Sequence, residues 1–139
     1  MSMSHLWQQD GPSDPVPAAP RRGFLRSFSF AGQGVWYVVR TQRNMRVHLL
    51  TAAGAISAGL ILSISATDWA CILTVIGLVL TAEAMNTVIE ALADLCTDEF
   101  HPLAKIAKDT AAGAVLISSA AALGVGLVVF LPRLLRWLA

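Results

Sequence analysis

The sequence predicts an all-α membrane protein, with one amphipathic helix at the membrane surface followed by three membrane-spanning helices. Three observations predict it. Hydrophobic residues make up 55% of the 139 residues and charged residues only 14%, against roughly 25% charged in an ordinary soluble domain. So few charges cannot cover a folded surface, and lipid must cover part of it. Three long apolar stretches fill most of the chain after residue 47, and a segment of basic residues interleaved with aromatics precedes them. No β pattern and no internal repeat competes with this reading. The length allows one domain. The net charge of +1 gives no global electrostatic case for a nucleic-acid partner.

Residues 1–20 contain Pro12, Pro15, Pro17 and Pro20, with no apolar run and no basic start. They read as a disordered tail rather than a secretory signal, which leaves 21–139 as the integral-membrane domain. Over about 21–46, Arg21, Arg22, Arg26, Arg40, Arg43 and Arg46 alternate with Phe24, Phe28, Phe30, Trp36, Tyr37 and Met45. Rings at headgroup level and guanidinium groups on lipid phosphates suit a helix lying on the membrane. Gly32 and Gly34 are expected to break or bend it. The first span reads at about 48–66. The second reads at about 68–95, opened by Asp68 as an N-cap signal, and the third at about 104–131, ended by Pro132. About 20 residues cross the hydrocarbon core, so the second and third helices must project beyond it. Small residues such as Gly54, Gly59, Ala112 and Gly113 permit close helix contact.

Orientation follows from the cations. The N-terminal segment and the start of the third span hold Arg21 to Arg46, Lys105 and Lys108, whereas the opposite side has only Arg133 and Arg136. The positive-inside rule puts the N-terminus in the cytoplasm and, after three spans, the C-terminus on the other side of a cell membrane. Cys71 and Cys96 are the only cysteines. On one helix they would stand about 37 Å apart, too far to pair.

The second span contains polar residues that lipid should exclude. Glu83, Asn86, Glu90 and Asp94 fall at azimuths of about 0°, −60°, −20° and +20° on a helix, one narrow stripe. A carboxylate near the bilayer centre costs about 2.5–3.5 kcal/mol on insertion scales. If the helix enters lipid near Asp68, it emerges about 20 residues later. Glu83 then lies about one turn below the cytoplasmic border, with Glu90 and Asp94 at or beyond it. Asp94 alone could be a solvated residue and Glu83 alone a structural partner, but four residues on one stripe point to a site. Lys108 and Asp109 enter the third helix at the same depth. Lys108 could hold a phosphate and Asp109 could orient it or a metal ion. A salt bridge from Lys108 to Glu90 or Asp94 is the structural alternative, and the two are compatible. No phosphate-binding Gly-x-x-x-x-Gly-Lys-Ser/Thr loop and no protein-kinase signature occurs. Any nucleotide site must therefore be helical.

At this point the residues resemble a known family. The run from Glu83 through Asn86, Thr87 and Glu90 to Asp94 resembles the signature Glu-x-x-Asn-(Ser/Thr)-x-Ile-Glu-x-x-x-Asp of the prokaryotic diacylglycerol kinases. Ala107-Lys108-Asp109 with Ala111 to Leu116 resembles its second motif, and the Phe30–Gly34 and Arg43–His48 segments resemble its N-terminal ones. The likeness covers about residues 24–135, and the Arg43–His48 and His101–Lys105 segments are more similar to the undecaprenol kinase branch. It implies a homotrimeric bundle with active sites shared between subunits. It also implies transfer of the γ-phosphate of ATP to a membrane lipid alcohol, undecaprenol or diacylglycerol, with Mg²⁺. By resemblance Glu83 is the general base. Asn86, Glu90, Asp94, Lys108 and Asp109 contact ATP, Glu90 holds the metal, and Arg43 and Asn44 contact substrate. The family usually has a metal-holding Glu where this chain has Gln42, which can offer a carbonyl oxygen but no charge.

Two other classes can be weighed on residues alone. A transporter would also use intramembrane carboxylates, but nearer the bilayer midplane. A scaffold recruited through the basic aromatic segment leaves the Glu83 stripe unexplained.

Overall fold

The computed structural model describes residues 24–97 and 99–138; the expected tail at 1–20 and the first residues of the expected surface helix lie outside them. The described residues form four α-helices and no strand: α1 (Phe24–Thr41), α2 (Arg43–Ile61), α3 (Ala66–Cys96) and α4 (Pro102–Leu138). α3 is the organising element. α4 packs along it, α2 packs on it, and α1 reaches both α2 and α3, while α2 and α4 barely touch.

α1 is the most amphipathic of the four. It exposes Phe28, Trp36 and Tyr37 and buries Val38. Gly32 and Gly34 do not break it, contrary to expectation. A helical glycine costs about 1 kcal/mol, less than a continuous apolar face recovers. The break falls instead at Gln42, which leaves the helical region at φ −92°, ψ 119°. The segment Arg43–Val47 therefore begins α2 rather than ending the surface helix. Val38 and Met45, both buried, pin the two sides of this corner.

α2 ends in a Schellman motif. The Ile64 N–H donates to the Gly59 carbonyl at 3.2 Å and the Ser63 N–H to Leu60 at 3.3 Å, with Ser63 at φ +48°. Gly59 is required there, because a Cβ would stand 2.9 Å from the Trp69 ring. α3 then starts with a capping box on Ser65, not with Asp68 as N-cap. Ser65 Oγ accepts from the Asp68 N–H at 3.2 Å, and Asp68 Oδ2 accepts from the Ser65 N–H at 3.1 Å. A serine three residues before an aspartate satisfies two orphan amides at once.

α4 also departs from expectation, since it runs through Pro132 to Leu138. Proline removes one helical N–H. Side chains cover neighbouring carbonyls: Arg133 Nη1 donates to Val129 O at 2.7 Å and Arg136 Nε to Pro132 O at 3.2 Å. Arg133 Nη2 also reaches Asp68 Oδ2 at 2.5 Å, tying the end of α4 to the start of α3. Beside this tie lies the apolar core of Ile64, Ile72 and Val129.

α3 and α4 are long and apolar enough to cross a membrane. Only 28% and 11% of their most apolar windows are buried within the chain, so they are not the core helices of a soluble protein. Leu116, Ile117, Leu123 and Val128 are exposed on α4, and this surface needs lipid or another chain against it. α2 is less apolar because it is built from Ala, Gly, Ser and Thr and begins with Arg43 and Arg46. Cys71 and Cys96 both lie on α3 as free, exposed thiols.

Candidate functional site

On α3, Glu83, Asn86 and Thr87 occupy positions i, i+3 and i+4, so they share one face. All three are buried, Glu83 to 1% exposure and Asn86 to 7%. The Thr87 hydroxyl turns back to the Glu83 carbonyl at 3.0 Å, as a threonine in a helix does when no other acceptor is near. Asn86 Nδ2 donates to Glu90 Oε1 at 2.9 Å one turn on, and that bond orients both side chains. On this face of α3 two buried polar atoms have no hydrogen-bond partner, Glu83 Oε2 and Asn86 Oδ1. Such atoms cost about 1–3 kcal/mol each, more when charged, so a site that retains them is built for a ligand or a proton.

The stripe then fades toward one end of the bundle. Glu90 is half-buried and Asp94 exposed. Asp94 Oδ1 accepts from Lys108 Nζ across the α3–α4 pair, which realises the salt bridge foreseen as the alternative role for Lys108. Asp109 is exposed and pairs with Lys105 one turn back, so within one chain it does not join Glu83. α3 with its neighbours buries Glu83, Asn86 and Thr87 and leaves the Glu90–Asp94 end of the stripe open. Gln42 sits half-buried at the α1–α2 corner and makes no capping hydrogen bond with its side chain. Arg43 and Asn44 open α2 and are exposed.

Two features escaped the sequence reading. His48 of α2 places Nε2 4.0 Å from Glu83 Oε2, although His48 entered that reading only as part of a motif. The contact spans two helices, so no periodicity along either reveals it. Ser119 of α4 has a buried hydroxyl without a partner, lost among the small residues of its helix. Both line an apolar groove of about 670 Å³ between α2, α3 and α4. The groove begins at His48, Leu80 and Ser119 and reaches Phe130 and Leu134. The α4 wall, Ser119 to Leu134, is about 22 Å long at 1.5 Å per residue. An apolar trough with its few polar groups at one end suits a ligand with a long apolar body and a polar head.

Among the described residues no three His, Cys, Asp or Glu side chains cluster as a metal site. Mg²⁺ does not need such a cage: it is commonly held by one or two carboxylates, water and substrate phosphates. Glu90 beside the unpartnered Asn86 Oδ1 offers oxygen donors of that kind, so the residues present fit the ion.

Comparison with known proteins places these helices. A family model described as prokaryotic diacylglycerol kinase matches residues 29–130. The chain is 42% identical over 111 residues to an undecaprenol kinase of Bacillus subtilis, covering 80% of this chain and 90% of that one. It is 44% identical over 112 residues to a diacylglycerol kinase of Synechocystis, covering 80% of this chain and 64% of that one. The matched segment runs through α1 to α4 and contains the whole Glu83 stripe. The chain accordingly belongs to the prokaryotic diacylglycerol kinase family and is a lipid kinase.

Proposed function

We propose that this protein transfers the γ-phosphate of ATP to the hydroxyl of a membrane lipid alcohol, undecaprenol or diacylglycerol, at the cytoplasmic edge of the membrane. The observation that carries the reading is Glu83: a buried carboxylate whose Oε2 has no hydrogen-bond partner, next to His48, which lines the polar end of an apolar groove. The groove takes part of the lipid chain and brings its hydroxyl to Glu83. Glu83 accepts the hydroxyl proton as the lipid oxygen bonds to the γ-phosphorus and the bond from phosphorus to the β-phosphate bridging oxygen breaks, releasing ADP. Glu90 with Asn86, and Gln42 as a neutral donor from the α1–α2 corner, would hold Mg²⁺, which when bound would supply charge neutralisation for the ATP phosphates. Lys108 adds a point charge toward the same phosphates, Asp94 keeps Lys108 in place, and Asp109 serves ATP from the start of α4. Arg43 and Asn44 contact substrate at the start of α2. Phosphoryl transfer needs mainly positioning and charge neutralisation, and these residues supply both.

The protein works as a homotrimer in a cell membrane, with α2, α3 and α4 as its spans and α1 on the cytoplasmic surface. The basic N-terminal segment supports that orientation, and the uncovered apolar surface of α3 and α4 supports assembly. Phosphate transfer from labelled ATP, in membranes containing the protein and offered each lipid separately, tests the function. Transfer to one lipid that falls about 100- to 10,000-fold in Glu83→Gln is the expected result. Transfer to no lipid alcohol at high Mg²⁺ would defeat the reading.

A further inference from the structure

Glu83 presents a problem that its burial creates. A base must hold its reactive oxygen toward the incoming hydroxyl, and a misplacement of about 1 Å can cost about 100-fold in rate. Buried polar side-chain atoms usually have at least one hydrogen-bond partner, yet Glu83 Oε2 has none. Asn86, one turn away, spends its amide on Glu90, and the Thr87 hydroxyl is bound to a backbone carbonyl. Neither polar neighbour on α3 is therefore available. Among the described residues, His48 is the one basic side chain within 4.0 Å of Glu83. It comes from a different helix and its imidazole is 21% exposed, against 2% for the Glu83 side chain. It also lines the head of the apolar groove. Its place is therefore between the bulk of the groove and the carboxylate.

We propose that His48 is the positioning residue of the general base: its Nε2–H donates to Glu83 Oε2 when lipid fills the groove, and so aims the carboxylate at the lipid hydroxyl. The separation of 4.0 Å is beyond a hydrogen bond, and a shift of about 1 Å closes it. Catalytic hydrogen bonds that are long without substrate and tighten with it are common. Filling the groove presses on α2 and α3 together, and these are the two helices that carry the pair. A neutral imidazole is sufficient for this role, because it donates from one nitrogen. The inference rests on Glu83 being the base.

The test compares His48→Leu, His48→Gln and Glu83→Gln in the full-length protein in lipid membranes, with ATP and the better of the two lipid alcohols. His48→Leu removes the donor. His48→Gln keeps an N–H donor at similar reach but cannot carry a proton. We expect His48→Leu to lower kcat about 10- to 100-fold with the lipid KM changed less than about threefold. We expect His48→Gln to recover kcat to within about threefold of the parent. A His48→Gln variant as slow as His48→Leu would overturn the proposal, as would a His48→Leu variant with parental kcat or with its loss entirely in KM. If His48→Leu does not assemble, His48→Gln alone decides, since parental KM with a collapsed kcat there excludes a positioning donor. Glu83→Gln distinguishes the two layers: full activity in that variant removes the base reading itself, whatever His48 does.

Discussion

α3 carries a carboxylate near each end of the stretch proposed to cross the membrane, and the fold treats the two in opposite ways. Asp68 Oδ2 accepts from the Ser65 amide, from the Ser65 hydroxyl and from Arg133. Those three bonds, all on Oδ2, close a cap and join two helices. Glu83 is more deeply buried and has an oxygen with no donor. The bonded end is structural, and the end at Glu83 is the proposed catalytic site. An unpaired buried carboxylate is a cost that folding alone gives no reason to keep. The groove between α2, α3 and α4 connects the two regions: apolar where it nears Leu134, it becomes polar at His48.

The largest effects should separate the two ends. Glu83→Gln should nearly abolish phosphate transfer and leave thermal stability unchanged or higher, because an amide is cheaper to bury than an unpaired charge. Asp68→Asn should do the reverse. It weakens the tie to Arg133 and half of the capping box, so Tm should fall by a few degrees while kcat per folded molecule stays near the parent. Thermal unfolding and turnover measured on the same two samples check both. Parallel losses of activity and stability in both variants would erase the distinction between the ends.

Lys108 sharpens the comparison at the proposed catalytic end. Its pair with Asp94 is exposed, and exposed pairs contribute about 0–1 kcal/mol. Lys108→Met should therefore leave stability alone. If Lys108 meets ATP phosphates, it should raise the KM for ATP roughly 10- to 100-fold, the worth of a charge-assisted hydrogen bond. Asp94→Asn should have a smaller effect of the same kind, since it frees Lys108 without removing its charge. Equal effects on KM from the two variants would reduce the pair to a structural tie.

The sequence made the stripe legible because a helix has a fixed 100° step, and four polar residues in an apolar run then declare their own face. It made the long α3 and α4 legible for the same reason that it made α2 less so: length and hydropathy are local quantities, and α2 is built from small residues that serve contact. It did not reveal His48 beside Glu83, because a contact between two helices is set by how they lie against each other; the Lys105–Asp109 pair, one turn apart on α4, was open to the same spacing argument and was passed over. The breaks were misjudged where a local rule met a stronger one. Gly32 and Gly34 were overridden by the amphipathic face of α1, and α4 continues through Pro132 with the loss of one helical N–H. Gln42, an unremarkable residue in a corner, marks the real break because Val38 and Met45 are buried on either side of it.

The smallest expected effect lies at the bonded end. Ser63 occupies the left-handed position of the Schellman turn at φ +48°, where a side chain costs about 1–2 kcal/mol and glycine nothing. Ser63→Gly should therefore stabilise the protein, by about 0.5–1 kcal/mol after the greater freedom of an unfolded glycine is subtracted. The turn leads straight into the Ser65 capping box and the Asp68–Arg133 tie, so any gain is a gain in the part of the molecule that does no chemistry. Turnover should stay at the parental value while Tm rises by a few degrees. A fall in turnover with the rise in Tm would mean that the two regions are mechanically coupled, and that the strain at Ser63 serves the proposed site at Glu83, about 26 Å along α3 from its first residue.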